Sequence, residues 1–310
     1  MAQPSESEGA PPRRGRQPAW IGVDWGTSSL RGARFDADGG VVDERAFARG
    51  ILTVTPGGFA AVFEDCFGDW MKPDGTRCLI SGMAGSQQGW LEAAYCPCPA
   101  SLDDVSARLA WVEPRRIAIV PGLSCEHTGT PDVMRGEETQ VFGALRLLGL
   151  DSGTFVMPGT HSKWLRVDAG RIEAFTTLMT GEFYALLRQH SILARTLPPD
   201  DAELQGAAFD AGVAHALRSP GLLQSAFSVR TLSLFERMPL NDRPSYLSGL
   251  VIGEELRTRG VQGGEVVAIG AEALTRRYER ALAQCGVRVR SVGAQATWSG
   301  LWSVATRIAA

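Results

Sequence analysis

The sequence predicts an α/β protein in which one domain architecture occurs twice, with a ligand-binding cleft between the two copies. Its 310 residues are enough for two domains of ordinary size, and the 44% of residues that are hydrophobic are enough for two cores. In each half, three short strands joined by polar turns precede alternating helices and strands. Such a duplication places a cleft between the copies, and clefts between domains commonly bind ligands.

The first copy opens with an antiparallel meander. The apolar run from Trp20 to Asp24 and the alternating residues from Leu30 to Phe35 indicate two strands, joined by a polar turn at residues 25–29. A second turn at residues 36–40 leads to a third strand at Val41. Apolar periodicity then predicts a helix over residues 57–71 and buried strands over residues 78–80 and 117–120.

The second copy repeats this order. Strands are predicted over residues 154–157, 163–167 and 172–175, a helix over 181–190, helical segments between 203 and 259, a strand over 266–269 and a helix over 271–284. We therefore predict two domains, at residues 19–146 and 147–310. Residues 1–18 are mostly polar and have almost nothing to bury, so we predict a disordered extension there.

The charge and the distribution of apolar residues exclude several function classes. A net charge of −3 provides no basic field for a nucleic-acid backbone, so we expect no nucleic-acid partner. The chain has no run of about eighteen apolar residues, and its N-terminus lacks the apolar segment of a secretory signal. We therefore expect no membrane partner and a cytoplasmic location. A small-molecule ligand fits these properties best.

The six cysteines are irregularly spaced, which is typical of reduced thiols in a cytoplasmic protein. Cys96, Cys98, Cys125 and His127 have side chains that can bind zinc, but C-x-C together with C-x-H is not the usual spacing of a structural zinc site. Thiols in the core or in loops are the alternative. The sequence leaves open whether these four side chains converge.

The turn after the first strand is a candidate phosphate-binding site. Its residues Gly26, Thr27 and Ser28 can offer backbone N–H groups and hydroxyls to phosphate oxygens. Gly26 allows the backbone to come close to a nucleotide, and Asp24 at the strand end can hold a hydrated Mg²⁺ ion. An ordinary hairpin turn is the alternative, because such residues are common in turns.

Four segments of the chain resemble known kinase motifs. Residues 21–28, IGVDWGTS, resemble the first phosphate motif of the actin/hexokinase/chaperone superfamily. Residues 134–140 (MRGEETQ), 157–164 (MPGTHSKW) and 179–183 (MTGEF) resemble signature blocks of the 2-dehydro-3-deoxygalactonokinase family. The resemblance extends over nearly the whole chain from residue 19 onward.

This resemblance implies two ribonuclease H-like domains, as in actin and hexokinase, with an interdomain nucleotide cleft. It also implies a kinase that uses ATP and Mg²⁺ and phosphorylates the 6-hydroxyl of 2-dehydro-3-deoxy-D-galactonate, a sugar acid of galactonate and galactose breakdown. The alternatives are a kinase of another sugar or a phosphohydrolase of the same superfamily, and, outside the enzymes, an ATP-gated regulator. The oligomeric state is left open, with a homodimer among the possible states.

Within the family motifs, the second hairpin turn supplies further phosphate-binding candidates. Gly159 and Thr160 can approach phosphate, and His161 and Lys163 add donors or positive charge. Pro158 occupies the position that usually carries an aspartate in the superfamily, so this turn lacks the second carboxylate. For Lys163, a solvated strand position is the alternative.

Two acidic residues precede the apolar segment 141–148, which resembles a helix that crosses between the domains. Glu137 or Glu138 could hold the metal with its water, or accept the proton of the attacking hydroxyl, and we favour Glu137. Stabilisation of the helix N-terminus is the alternative. Arg135 is a candidate for binding the substrate carboxylate through its planar fork, with a surface charge as the alternative.

Further binding candidates lie outside these motifs. Gly270, after the last predicted strand, and Gly249 are candidates for the adenine site, although the small residues around Gly249 could instead serve helix packing. Ser86 and Gln87 lie in a polar loop after a buried strand and are substrate candidates, with a loop of no function as the alternative. Residues 296–305 resemble a second crossing helix whose small residues would allow close packing.

Overall fold

The computed structural model describes residues 19–200 and 203–309, so the extension predicted at residues 1–18 lies outside the described residues. The first half has the predicted meander, the predicted helix, in a shorter form, and both buried strands. Its elements are β1 (Trp20–Trp25), β2 (Leu30–Phe35), β3 (Val41–Phe47), α1 (Phe59–Phe67), β4 (Arg77–Gly82), β5 (Cys96–Pro97), β6 (Ala100–Ser101), α2 (Leu102–Ser106), β7 (Ala110–Glu113), β8 (Ile117–Ile119), β9 (Leu123–His127), β10 (Thr130–Met134) and α3 (Glu137–Leu148).

The second half also follows the predicted order. Its elements are β11 (Gly153–Met157), β12 (Ser162–Asp168), β13 (Arg171–Leu178), α4 (Thr180–His190), α5 (Gly206–Arg218), α6 (Leu222–Ser225), α7 (Ser228–Leu234), α8 (Arg243–Arg259), β14 (Glu265–Ile269), α9 (Glu272–Ala283), β15 (Arg288–Val292) and α10 (Gln295–Ala309). Short 3₁₀ turns lie at Ile51–Thr53, Met83–Gly85, Ile192–Thr196 and Leu240–Asp242.

Two six-stranded sheets share one topology. Their strand orders are β3-β2-β1-β4-β8-β7 and β13-β12-β11-β14-β15, the second with β6 added beside β13. In each, three antiparallel strands are followed by two that run parallel to the first strand of the meander, and β7 adds a sixth, antiparallel strand beside β8 in the first sheet. This repetition confirms the predicted duplicated α/β fold. A third sheet, β10-β9-β5, has three strands.

One hydrophobic cluster connects the two halves. It contains Trp20 and Phe35 of the first sheet, Phe155 and Phe175 of the second, and Leu301 of α10, all buried. Contacts of this kind within a single cluster indicate a core shared by the two halves, in addition to the clusters that each half has of its own. The relative position of the two sheets is therefore set by buried apolar packing.

Helices α3 and α10 pack closely through reciprocal glycines. A Cβ atom on Gly143 would lie 1.8 Å from the carbonyl oxygen of Ala296, and one on Gly300 would lie 1.9 Å from that of Thr139. Only glycine fits at such distances from another backbone. The close packing expected for residues 296–305 is present. The domain boundary that we predict at residue 146 falls within α3 and stays a prediction.

The structure gives no support for a membrane span or a zinc site. Within residues 19–200 and 203–309, no helix is long and apolar enough to cross a membrane. In that part of the chain, no group of three or more His, Cys, Asp or Glu side chains is arranged to hold a metal ion. Cys125 Sγ and His127 Nε2 lie 3.2 Å and 2.5 Å from the carbonyl oxygen of Phe175, so both face the protein's own backbone.

Candidate active site

A cleft of about 530 Å³ lies where the two hairpin turns, the start of α3 and the ends of β14 and β15 meet. Its residues come from both copies of the domain, as the duplicated fold predicts. The predicted site residues that line it are Asp24, Gly26, Thr27, Arg135, Glu137, Gly159, Thr160, His161 and Gly270. Ser28, Ser86, Gln87, Glu138, Lys163 and Gly249 do not line it.

The first turn presents a carboxylate at the edge of the cleft. Gly26 N–H donates to the carbonyl oxygen of Ser29 at 2.9 Å and closes the turn between β1 and β2. Asp24, with 18% of its side chain exposed, forms an ion pair with Arg31 at 2.5 Å. The sequence analysis missed Arg31, although Asp24 and Arg31 are paired positions of the predicted hairpin. Ser28 is exposed to solvent beside the cleft.

Glu137 begins α3 and faces the cleft. Gly136, with φ of +104°, turns the chain into the helix and passes close to the backbone of Gly82, which suits a residue without a Cβ. Glu137 Oε2 accepts a hydrogen bond from the backbone N–H of Arg135 at 2.9 Å, and Oε1 lies 3.9 Å from Lys163 Nζ. Burial raises the pKa of Glu137, and Lys163 opposes this shift.

Glu138 points away from the cleft into the interior. Its side chain is fully buried, and its carboxyl accepts hydrogen bonds from Gly136 N–H at 2.7 Å and from Thr139 Oγ1 at 3.0 Å. Burial, reinforced by the neighbouring Glu137, raises the pKa of Glu138 to about 8. The two adjacent glutamates therefore differ in environment: one lines the cleft and the other is enclosed.

The second turn is held by the first turn of α4. Glu182 N–H donates to the carbonyl oxygen of Thr160 at 3.0 Å, and Glu182 Oε2 lies 2.5 Å from His161 Nε2. A Cβ on Gly181 would lie 2.4 Å from the carbonyl oxygen of Gly159, so α4 reaches the turn only because Gly181 has no side chain. Lys163 is 5% exposed and lies beside Glu137, so the solvated position considered for this lysine is wrong.

A second cavity of about 390 Å³ adjoins the cleft and shares Gly159 and Thr160 with it. Its other lining residues include Thr180, Tyr184, Ser248, Arg277 and Tyr278. Gly270, at the end of β14, lines the cleft near the carbonyl oxygen of Pro158.

Gly249 lines neither the cleft nor the adjoining cavity. A Cβ there would lie 2.1 Å from the carbonyl oxygen of Phe209, at the contact between α5 and α8. This position agrees with a role in helix packing, which was the alternative to an adenine-binding role for Gly249.

Arg135 lines the cleft and has hydrogen-bond donors that no group of the described residues accepts. Its Nη2 donates to the carbonyl oxygen of Ala93 at 2.8 Å, and its guanidinium lies 4.4 Å from the ring centre of Tyr95. Its Nε and Nη1 atoms are buried and have no hydrogen-bond partner among the described residues. Gly85 leaves room for this arrangement, since a Cβ there would lie 2.7 Å from Nη1.

The loop that follows β4 contributes to the cleft through other residues than predicted. Gly82 and Met83 line it, whereas Ser86 and Gln87 do not. Ser86 Oγ donates to the carbonyl oxygen of Met83 at 2.8 Å and closes a short turn, and Gln87 is exposed. Direct contact of these two side chains with a ligand in the cleft has no support from this placement.

Comparison with known proteins adds independent evidence. A family model described as 2-keto-3-deoxy-galactonokinase matches residues 24–304. A Rhizobium meliloti protein, a probable 2-dehydro-3-deoxygalactonokinase, is 38% identical over 93% of this chain and 97% of its own. The 2-dehydro-3-deoxygalactonokinase of Escherichia coli is 35% identical over 94% of this chain and 98% of its own.

The solved structures agree with the sequence relatives. One crystal structure is that of a Sinorhizobium meliloti protein described as a 2-dehydro-3-deoxygalactonokinase. It superposes on this chain with a TM-score of 0.86 at 37% sequence identity, and the match covers 93% of this chain and 99% of that protein. Component A of the Acidaminococcus fermentans (R)-2-hydroxyglutaryl-CoA dehydratase has a TM-score of 0.52 at 15% identity, which shows a common fold only.

Two copies of one α/β domain that enclose a cleft between two hairpin turns characterise the kinases of the actin and hexokinase fold, and this protein is a kinase of that class. The chain belongs to the 2-keto-3-deoxy-galactonokinase family, whose model covers most of its length. This confirms the predicted family, fold class and activity, the ATP-dependent phosphorylation of 2-dehydro-3-deoxygalactonate.

Proposed function

We propose that the cleft transfers the γ-phosphate of ATP to the 6-hydroxyl of 2-dehydro-3-deoxy-D-galactonate, whose carboxylate binds Arg135. The observation that carries this assignment is the pair of buried, unpartnered donor atoms, Nε and Nη1 of Arg135, beside the cleft. A buried donor without a partner costs about 1–3 kcal/mol, and a carboxylate fits the guanidinium fork with two parallel hydrogen bonds. A sugar acid would supply this partner, whereas a neutral hexose would not.

The two hairpin turns provide the phosphate-binding side of the cleft. Gly26 and Thr27 of the first turn lie across from Gly159 and Thr160 of the second, and small residues let both backbones approach phosphate oxygens. The adjoining cavity shares the second turn with the cleft, so it is where the adenine would lie. The predicted adenine role of Gly270 is consistent with its position beside that turn.

The acidic residues of the cleft fit a Mg²⁺ ion. Mg²⁺ in phosphoryl-transfer sites is typically held by one or two carboxylates together with phosphate oxygens and water. Asp24 and Glu137 both line the cleft and are close enough for the charge of Asp24 to affect Glu137. Asp24 would share its charge between the ion and Arg31. When bound, the ion would neutralise the charge of the phosphates.

Glu137 is the residue that we assign as the base. In the reaction, the 6-hydroxyl oxygen forms a bond to the γ-phosphorus, the bond from that phosphorus to the bridging oxygen of ADP breaks, and the hydroxyl proton passes to Glu137. Glu137 is accessible from the cleft, whereas Glu138 is enclosed and hydrogen-bonded to the protein.

The cytoplasmic location and the homodimer that the sequence allows remain predictions. Within the same superfamily, a kinase of another sugar or a phosphohydrolase is the alternative function, and an ATP-gated regulator is the alternative outside the enzymes. Release of ADP that requires an acceptor would exclude the phosphohydrolase and the regulator, and the identity of the preferred acceptor would distinguish a kinase of another sugar.

The decisive experiment measures ADP release with 2-keto-3-deoxy sugar acids and with neutral hexoses, for the wild type and for Arg135→Met. We expect the wild type to prefer the sugar acid, and Arg135→Met to raise the KM for it at least about tenfold while changing the KM for ATP little. Arg34→Met, at a surface arginine that lies over Trp70, is the matched control. A preference for a hexose, or an unchanged KM in Arg135→Met, would contradict the assignment.

A further inference from the structure

Glu255 is a buried carboxylate that no sequence motif points to. It lies near the end of α8 and is 2% exposed. Ser162 Oγ and Trp164 Nε1, both of β12, donate to its Oε1 at 2.9 Å and 2.6 Å. Tyr278 OH of α9 donates to Oε2 at 2.8 Å, and Thr180 Oγ1, at the start of α4, donates to the same oxygen. One carboxylate therefore links three other elements to α8.

The chemistry of these contacts requires a carboxylate. Burial raises the pKa of Glu255, and the four hydrogen bonds oppose that shift. An indole N–H such as that of Trp164 can only donate, so the atom that faces it must be an acceptor. An apolar side chain of similar size would avoid the cost of burying a polar group, but it would leave the four donors without a partner. The role of Glu255 thus depends on its hydrogen bonds.

Two of the four donors to Glu255 belong to the wall of the cavity that adjoins the cleft. Ser162 directly follows the second hairpin turn, and Thr180 and Tyr278 line the cavity that adjoins the cleft. The first turn of α4, which Thr180 begins, donates a backbone N–H to the carbonyl oxygen of Thr160 at 3.0 Å. Glu255 itself lines neither the cleft nor this cavity. Together with Thr180 it lines a third cavity of about 640 Å³, so its hydrogen bonds hold residues of the adjoining cavity's wall although its own side chain does not line that wall.

We propose that Glu255 is a positioning residue for the nucleotide: it fixes the second hairpin turn, the start of α4 and one face of α9 relative to each other, without contacting the nucleotide. The inference rests on the proposed function, because it assumes that ATP occupies these two cavities. Loss of the network should weaken nucleotide binding more than sugar-acid binding, since Arg135 belongs to the first half of the chain. A residue that only stabilises the fold would lower the melting temperature without separating the two affinities.

The main test compares Glu255→Gln with Glu254→Gln. The first variant keeps the side-chain size but places an NH₂ group against two of the donors, and the second removes a carboxylate that pairs with Arg257 on the same helix at 2.7 Å. We expect Glu255→Gln to raise the dissociation constant for ADP, measured by calorimetry, about tenfold, and the KM for the sugar acid less than about twofold. Glu254→Gln should leave both unchanged.

A second pair of variants decides the question if Glu255→Gln does not fold. Thr180→Val removes one donor at nearly constant size, and Thr180→Ser keeps the hydroxyl. We expect Thr180→Val to weaken ADP binding and Thr180→Ser to restore it. Where Glu255→Gln does fold, its effect and that of Thr180→Val should not add in the double variant, because both residues act through one network.

Three results would overturn the inference. Unchanged ADP affinity in Glu255→Gln, or in Thr180→Val where the first variant does not fold, would show that the network serves stability alone. Additive effects in the double variant would show that Thr180 acts on the nucleotide directly. If the wild type itself did not bind ADP, the proposed function and this inference would both be overturned. Calorimetry on the wild type tests this before any variant is made.

Discussion

Replacing Gly300 by alanine should force the crossing helices α3 and α10 apart. The added Cβ would lie 1.9 Å from the carbonyl oxygen of Thr139, whereas ordinary contact begins at 3.4 Å, so the space is too small by about 1.5 Å. The obstacle is helix backbone, which cannot rotate away as a side chain can. Overpacking costs about 1–3 kcal/mol, and the higher helix propensity of alanine offsets about 1 kcal/mol. With backbone as the obstacle we expect an overpacking cost at the upper end of that range, about 3 kcal/mol, and therefore a net loss of about 2 kcal/mol.

Thermal and urea unfolding provide the measurement. At an unfolding entropy of about 2.1 cal/mol/K per residue, a loss of about 2 kcal/mol in a chain of 310 residues corresponds to a melting temperature lower by about 3 °C. Because Thr139 follows Glu137 closely on α3, kcat should fall as well. Gly206→Ala is the matched control, since the three atoms nearest to its Cβ would belong to the guanidinium end of the Arg280 side chain rather than to backbone. If Gly300→Ala were as stable and as active as the wild type, the tight helix crossing described above would be refuted.

Four further predictions concern the cleft. Asp24→Asn should fold normally and lose at least about a hundredfold in turnover, because positioning of the metal stabilises the transition state; near-normal turnover would remove Asp24 from the site. Glu137→Gln should lower kcat strongly while ATP affinity by calorimetry stays within a few-fold, and Glu138→Gln should do much less; the opposite ranking would transfer the role of base to Glu138. Since burial raises the pKa of Glu138 from 4.5 to about 8, the folded protein holds this proton more tightly than the unfolded chain, so stability should fall as the pH rises from 4.5 to 8. Glu138→Gln should weaken that fall, and parallel melting curves for variant and wild type across this range would argue against it. Gly181→Ala should raise the KM for ATP, because its Cβ would push the carbonyl of Gly159 away from its present position; an unchanged KM would mean that the turn tolerates the shift.

Much of the candidate site could be predicted because its signals are local in the sequence. A strand that ends in Asp24 and turns through Gly26 needs no distant partner to be recognised. The repeated meander and the apolar periodicities predicted the duplicated fold for the same reason. The family motifs then pointed to the pair Glu137 and Glu138 and to the second turn at Gly159, and of these Glu137 and Gly159 line the cleft.

The roles of buried residues could not be predicted, because they depend on contacts between distant parts of the chain. Glu137 and Glu138 are adjacent and chemically identical, and since successive helix residues point about 100° apart, only the packing of α3 decides which one faces the cleft. Lys163 is buried beside Glu137, a residue from the other half of the chain, which the sequence around Lys163 does not reveal.

The same limit applies to Glu255 and Gly249, which lie on one helix with no distinctive motif around them. Glu255 gains its four hydrogen-bond partners from residues between 23 and 93 positions away, and Gly249 meets α5 at the backbone of Phe209. The sequence by itself therefore determined the fold, the kinase family and the residues of the turns, since periodicity and turn chemistry act over a few residues. Only the tertiary structure decided which side chains face the cleft and which support it from behind, because burial and hydrogen bonding are properties of the folded neighbourhood.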